Sequence, residues 1–161
     1  MINFLTFLIF HLIPCQTEFD KMLEKYYTDK VTKIQPDELA ALIETGADFT
    51  LIDIRYPNEY EVSSLKGALN IAGSSTGWDA PKDTRIIVYC TVGARSEEAA
   101  QELLNLGFTN VSNLYGGIIH WVNSGYPVYN FALLKNRVVT DRVHVYSAEW
   151  SKWLKTGTAV Y

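Results

Sequence analysis

Two short, almost uninterrupted apolar runs, Phe49-Thr50-Leu51-Ile52-Asp53-Ile54 and Arg85-Ile86-Ile87-Val88-Tyr89, constrain this chain more than any other feature. A strand with one wet face alternates apolar and polar side chains, whereas runs this dense fit strands buried on both faces. Sheets covered on both faces are mostly parallel, and parallel strands need crossover connections, usually helices. The neighbouring segments supply them. Residues 36–44 open with Pro36, suited to a first helical turn, and are closed by Gly46. Residues 96–106 put Ala99, Ala100, Leu103 and Leu104 on an inward face and stop at Gly107, and Gly116-Gly117 opens a further helix carrying Ile118 and Trp121. With shorter strands expected at 31–34, 68–71 and 111–114, the alternation predicts an α/β fold with a central, mainly parallel sheet flanked by helices.

In such sheets ligands bind beyond the carboxyl ends of the strands, and that is where Asp53 and Cys90 fall. Cys90-Thr91-Val92-Gly93-Ala94-Arg95 joins a buried strand to a helix N-terminus. A loop curled around its own cysteine converges backbone N–H groups on the sulfur, and the helix dipole adds positive potential. Such a cradle stabilises an anionic sulfur, the nucleophilic form of cysteine. Gly93 supplies a position without a Cβ, and Arg95 can pair with an acidic residue or face an anionic substrate.

Composition excludes several other readings. The 161 residues are 48% hydrophobic, enough for one core and too many for a disordered chain. A net charge of −4 gives no attraction for a phosphate backbone, so nucleic acid is not an expected partner. The two cysteines, Cys15 and Cys90, lie in unlike contexts, and His11, His120 and His144 are too scattered for a zinc site; no metal is expected.

Four stretches are expected: an apolar segment at 1–15, a helical extension at 16–30, the main domain at 31–128 and a C-terminal extension at 129–161. The apolar residues 2–13 would span about 18 Å as a helix, short of the ~30 Å hydrocarbon core, so the segment does not read as a membrane span. Its length suits the apolar part of a secretion signal, and Leu12-Ile13-Pro14-Cys15 resembles a lipoprotein cleavage box with Pro14 in place of a small residue. Export or membrane association through this segment, and a cytoplasmic chain with the segment packed on the domain, both stay open. Phe19, Met22, Leu23 and Tyr26 follow helical spacing, which predicts a short packed helix. The tail holds a strand-like 142–146 and a helix-like 148–154 with Trp150 and Trp153, too apolar for a linker and too short for a second domain, and reads as a packed extension or a partner surface. Trp78, His120 and His144 are expected as packed side chains rather than catalytic ones.

From about Val31 to Val128 the chain resembles a single rhodanese-like domain. The resemblance rests on an ordered set: Asp53-Ile54-Arg55-Tyr56-Pro57-Asn58-Glu59-Tyr60, then Gly67-Ala68-Leu69-Asn70-Ile71, then the strand and loop from Ile87 to Arg95, then Leu114-Tyr115-Gly116-Gly117, Trp121 and Gly125-Tyr126-Pro127-Val128. It implies a three-layer fold and a sulfurtransferase without cofactor, in which Cys90 takes a sulfane sulfur from a small donor such as thiosulfate and passes it to a thiol or cyanide. Thr91, Val92, Gly93, Ala94 and Arg95 would form the active-site loop and Arg55 would hold the anionic part of the donor. Asp53 and Glu59 would orient Arg95 and the loop. The chain has Ser63-Ser64-Leu65-Lys66 where the family often has Gly-His-Ile-Pro, and its loop interior matches neither of the family's familiar donor preferences. Two other classes compete: a non-catalytic rhodanese-like binding module, which would commonly lack the cysteine, and a phosphatase or arsenate reductase, whose Cys-to-Arg loop is one residue longer than the four residues between Cys90 and Arg95.

Overall fold

A computed structural model describes residues 17–71, 80–131 and 137–161, with the side chains of 131 and 137 left aside. The expectations for the apolar segment, for Cys15 and for Trp78 lie outside these residues. The elements in order are α1 (Glu18–Leu23), β1 (Thr32–Ile34), α2 (Pro36–Thr45), β2 (Thr50–Asp53), α3 (Pro57–Val62), β3 (Leu69–Asn70), β4 (Ile86–Tyr89) and α4 (Ala94–Asn105). They continue with β5 (Val111–Leu114), α5 (Gly117–Asn123), β6 (Val128–Phe131), β7 (Arg137–Thr140), β8 (Arg142–His144), α6 (Ala148–Ser151) and β9 (Thr158–Val160).

Five parallel strands form the central sheet in the order β1-β5-β4-β2-β3. The dense apolar runs became the two inner strands β4 and β2, as burial on both faces requires. Alternate side chains of β4 divide between two cores: Ile87 and Tyr89 join Leu51, Leu114, Ile118 and Ile119 on one face. Ile86, Val88 and Cys90 join Ala99, Ala100 and Leu103 of α4 on the other. The result is the expected layering of helix, sheet and helix. β2 and β4 run side by side with Asp53 opposite Tyr89, so their carboxyl ends open onto the same edge.

Two features were not expected. α3 is a short, polar helix that begins at Pro57. β6 and β7 pair antiparallel, and Tyr129 in β6 exchanges backbone hydrogen bonds of 2.8 and 2.9 Å with Ser64, so the boundary expected at 128 falls inside an integrated strand. The tail, expected as a packed extension or a partner surface, packs on the domain: β8 and β9 pair in parallel, Val143 and Val145 are fully buried in the main core, and the expected 148–154 helix is the single turn of α6. Trp150 and Trp153 pack on aromatic partners near α1, with ring centroids 6.0 Å from Tyr26 and 5.5 Å from Phe19. No helix of the described residues is long and apolar enough to cross a membrane.

Candidate active site

β4 delivers Cys90 to the sheet edge, where the side chain is 1% exposed. The loop after it reverses through Gly93, whose φ of 95° makes it the N-cap of α4, and the Gly93 N–H donates to Cys90 Sγ at 3.2 Å. One donor of the expected cradle is therefore already in place. The N–H groups of the first turn of α4 have no intrahelical acceptors and add to the positive potential behind the sulfur. The start of α5 secures the loop's carbonyls, with Ile118 N–H donating to Cys90 O at 2.9 Å and Ile119 N–H to Thr91 O at 3.2 Å.

A buried polar network fixes the loop from beneath. Asn113 on β5 donates to Gly93 O and to the Glu97 carboxylate, both at 2.9 Å, and Ser96 donates to the Asn113 carbonyl oxygen at 2.8 Å. Glu97 also accepts from the N–H and hydroxyl of Thr28, each at 2.8 Å. The Tyr27 hydroxyl donates to Val92 O at 3.1 Å and accepts from Gly116 N–H at 2.8 Å, and burial in this position pushes the phenol well above its ordinary range. The loop carbonyls from Cys90 to Gly93 are thus held from three places, the start of α5, Tyr27 and Asn113 on β5.

Arg95 leaves α4 toward Glu59 on α3. Two guanidinium nitrogens meet the two carboxylate oxygens at 2.8 Å each, and Arg95 also donates to Thr91 Oγ1 at 3.0 Å. The structure thus brings Glu59 and Arg95 together. Burial opposes charge on both partners. For Arg95 the hydrogen bonds of Glu59 and the charges of Cys90 and Glu59 outweigh it, raising the guanidinium above its usual value. For Glu59 burial raises the carboxyl, while the Arg95 hydrogen bonds and charge, the Tyr56 N–H and the Arg55 charge bring it below the ordinary glutamate range. The unfolded chain therefore binds more protons than the folded one in acid, and stability rises with pH there. Glu59 should contribute fully above about pH 4.5 and lose its contribution as pH falls through its lowered folded value. Urea midpoints measured from neutral to acid pH should fall more steeply in the wild type than in Glu59→Gln; equal slopes would contradict this account.

Arg55 and Asp53 do not occupy the roles expected of them. Both side chains are fully buried and paired with each other, Arg55 Nη2 lying 2.7 Å from Asp53 Oδ2, and Arg55 also donates to the Ser63 carbonyl. The turn after β2 puts residues two apart on the same side, so the guanidinium folds back onto its own strand instead of reaching the mouth. Its charge is compensated there, and Asp53 orients Arg55 rather than Arg95. The pair forms an inner layer behind Glu59.

A cavity of about 160 Å³ opens above Cys90, lined by Thr91, Val92, Ala94 and Arg95 of the loop and by Tyr146 and Trp150 of the tail. Larger cavities of about 370 Å³ beside His120 and about 230 Å³ beside Tyr126 do not reach the sulfur. Tyr146 has a φ of 69°, and its N–H donates to His144 Nδ1 at 3.2 Å. That Nδ1 also lies 4.0 Å from Glu59 Oε1. Burial lowers the His144 pKa below its ordinary value despite Glu59, leaving a neutral ring that accepts from Tyr146. Sequence reasoning missed Tyr27, Thr28, Glu97, Asn113, Tyr146 and Trp150 as parts of the site, because each contributes through a contact distant in sequence. Among the described residues no three His, Cys, Asp or Glu side chains gather as a metal ion would need.

A parallel sheet carries at its carboxyl edge a cysteine loop that caps a helix and is closed by an arginine, an arrangement chemically able to stabilise negative charge at the sulfur. Residues 35–124 match the Rhodanese-like domain model, and the chain belongs to that family. A sulfurtransferase of Allochromatium vinosum is 34% identical over 101 residues, 61% of this chain and 94% of that protein. A tRNA uridine(34) hydroxylase of Bdellovibrio bacteriovorus is 30% identical over 121 residues, 68% of this chain but 34% of that protein. A rhodanese-related protein of Thermoplasma volcanium superposes with a TM-score of 0.53 at 32% identity, covering 60% of this chain and 96% of the other.

Proposed function

We propose that this chain is a sulfurtransferase that carries a sulfane sulfur as a persulfide on Cys90. The observation that carries the reading is the Gly93 N–H aimed at Sγ at a helix N-terminus, beneath a cavity large enough for a small donor. The Cys90 thiolate attacks the donor's outer sulfur, a new S–S bond forms and the donor's own S–S bond breaks. With thiosulfate, sulfite leaves with the electron pair. A thiol or cyanide then attacks the outer sulfur of the persulfide, and Cys90 departs as the thiolate it was at the start. Both half reactions place negative charge on sulfur within the same N–H cradle, so one loop serves both. Arg95 and Glu59 act as positioning residues by fixing the loop, and the reaction uses no cofactor. The sulfurtransferase relative that this chain matches over nearly all of its own length supports the assignment.

The loop, one residue shorter than a phosphatase loop, leaves less room for a tetrahedral phosphate beside the sulfur. Intact mass spectrometry after exposure to a sulfane donor should show one added sulfur atom, removable by cyanide and absent in Cys90→Ser. Sulfur loading retained in Cys90→Ser would remove Cys90 as the carrier. Aryl phosphate hydrolysis faster than sulfur transfer would install phosphatase chemistry in its place.

A further inference from the structure

The loop leaves open which donor fits, and the wall opposite the loop bears on that choice. Among the residues lining the cavity Arg95 alone carries a positive charge, and its guanidinium is already engaged by both oxygens of Glu59 at 2.8 Å. That guanidinium also lies over the Tyr146 ring at 5.0 Å and the Tyr56 ring at 5.6 Å from its central carbon, with 30% of the Arg95 side chain still exposed. Behind it the charge of Arg55 is paired with Asp53, its Nη1 alone keeping no hydrogen-bond partner. A donor that enters therefore meets the Cys90 sulfur, a paired arginine and aromatic side chains. A dianion would shed its water without gaining an uncompensated cation, which is unfavourable. A donor with one charge on its outer sulfur and a flat apolar body finds what each part requires: N–H groups for the sulfur and aromatic faces for the body. The cavity of about 160 Å³ is close to the size that holds one benzene ring.

We infer that Tyr146 and Trp150 are specificity-determining residues that make the site selective for singly charged organic sulfane donors, of the persulfide and thiosulfonate class, over the thiosulfate dianion. The inference rests on Cys90 being the sulfur carrier and adds the class of donor. The placement of Tyr146 is built in: a left-handed backbone conformation, unusual for a tyrosine, is held by the His144 ring, while the Tyr146 side chain stays 53% exposed at the rim. With a thiosulfonate, Cys90 attacks the outer sulfur, the S–S bond breaks, and a sulfinate leaves with the electron pair, so charge and atoms balance as they do for thiosulfate.

Three donors separate charge from ring: thiosulfate, methanethiosulfonate and benzenethiosulfonate. Initial rates of Cys90 loading are read by intact mass on the full chain, and each ratio of donors is divided by the same ratio for a small free thiol. Because every ratio is internal to one protein, a loss of folded fraction cancels. The wild type should favour the benzene over the methane donor by about tenfold, and Tyr146→Ala and Trp150→Ala should each lower that preference about threefold or more. Glu59→Gln, which frees the Arg95 charge, should raise thiosulfate relative to methanethiosulfonate about tenfold. A benzene-to-methane ratio unchanged in both aromatic variants would overturn the inference, as would a wild type that loads thiosulfate best. Failure of every donor to load the wild type would instead overturn the sulfurtransferase reading beneath it.

Discussion

Gly93→Ala should unseat the cysteine loop and reduce sulfur loading of Cys90 by about a hundredfold, the scale expected when a reacting group is displaced by roughly 1 Å. Two costs combine. At φ 95° a side chain strains the backbone by about 1–2 kcal/mol. The new Cβ would also fall inside the Tyr27 hydroxyl, forcing that ring away and releasing Val92 O and Gly116 N–H, at about 0.5–1.5 kcal/mol per hydrogen bond. The sum is about 2–5 kcal/mol. Gly107→Ala is the matched control, since Gly107 has a φ of 91° with nothing within 4 Å of its would-be Cβ. It should show only the backbone cost and near-normal loading. Urea denaturation and loading rates on the two variants check the account, and equal effects would show that the Tyr27 contact contributes nothing.

Asp53→Asn should destabilise the domain by about 3–5 kcal/mol, the usual consequence of leaving one member of a buried ion pair uncompensated. The Asp53 carboxylate accepts from the Arg55 backbone N–H at 3.0 Å, from Nε at 3.0 Å and from Nη2 at 2.7 Å. An asparagine keeps one acceptor oxygen and turns an NH₂ toward the guanidinium. Removing both charges together, as in Asp53→Leu with Arg55→Met, should cost less than the single change because no buried charge is left behind. Urea midpoints at constant m-value decide it. A single variant within about 0.5 kcal/mol of wild type would contradict the buried-pair account.

What the sequence revealed was local. The period and density of apolar residues located β2, β4, β5 and α4 within a residue or two, because burial on both sheet faces leaves its mark inside each run. The loop around Cys90 was legible for the same reason, being a strand end followed directly by a helix start. Arg55 shows where this stops. Its position in a motif identified the residue, but only the turn geometry after β2 shows that it folds back onto Asp53. α3 carries too few apolar residues over six positions to display a period. β7 exposes Val138 and Val139 by 50% and 62%, so its apolar content says little about burial. The aromatic wall of the cavity depends on the tail returning to the sheet edge, more than fifty positions from the cysteine, and no window along the chain contains both.

The family match covers 35–124, whereas Tyr27, Thr28, His144, Tyr146 and Trp150 all lie outside it. The common core carries Cys90 and most of the groups that hold its loop, Asn113, Ile118 and Ile119 among them, while the two flanks add Tyr27 beneath Val92 and the ceiling over the pocket. A gene trimmed to the shared core would encode Cys90 without either. Conversely, a change confined to the flanks would reshape the ceiling over the pocket while leaving the sequence of the cysteine loop untouched.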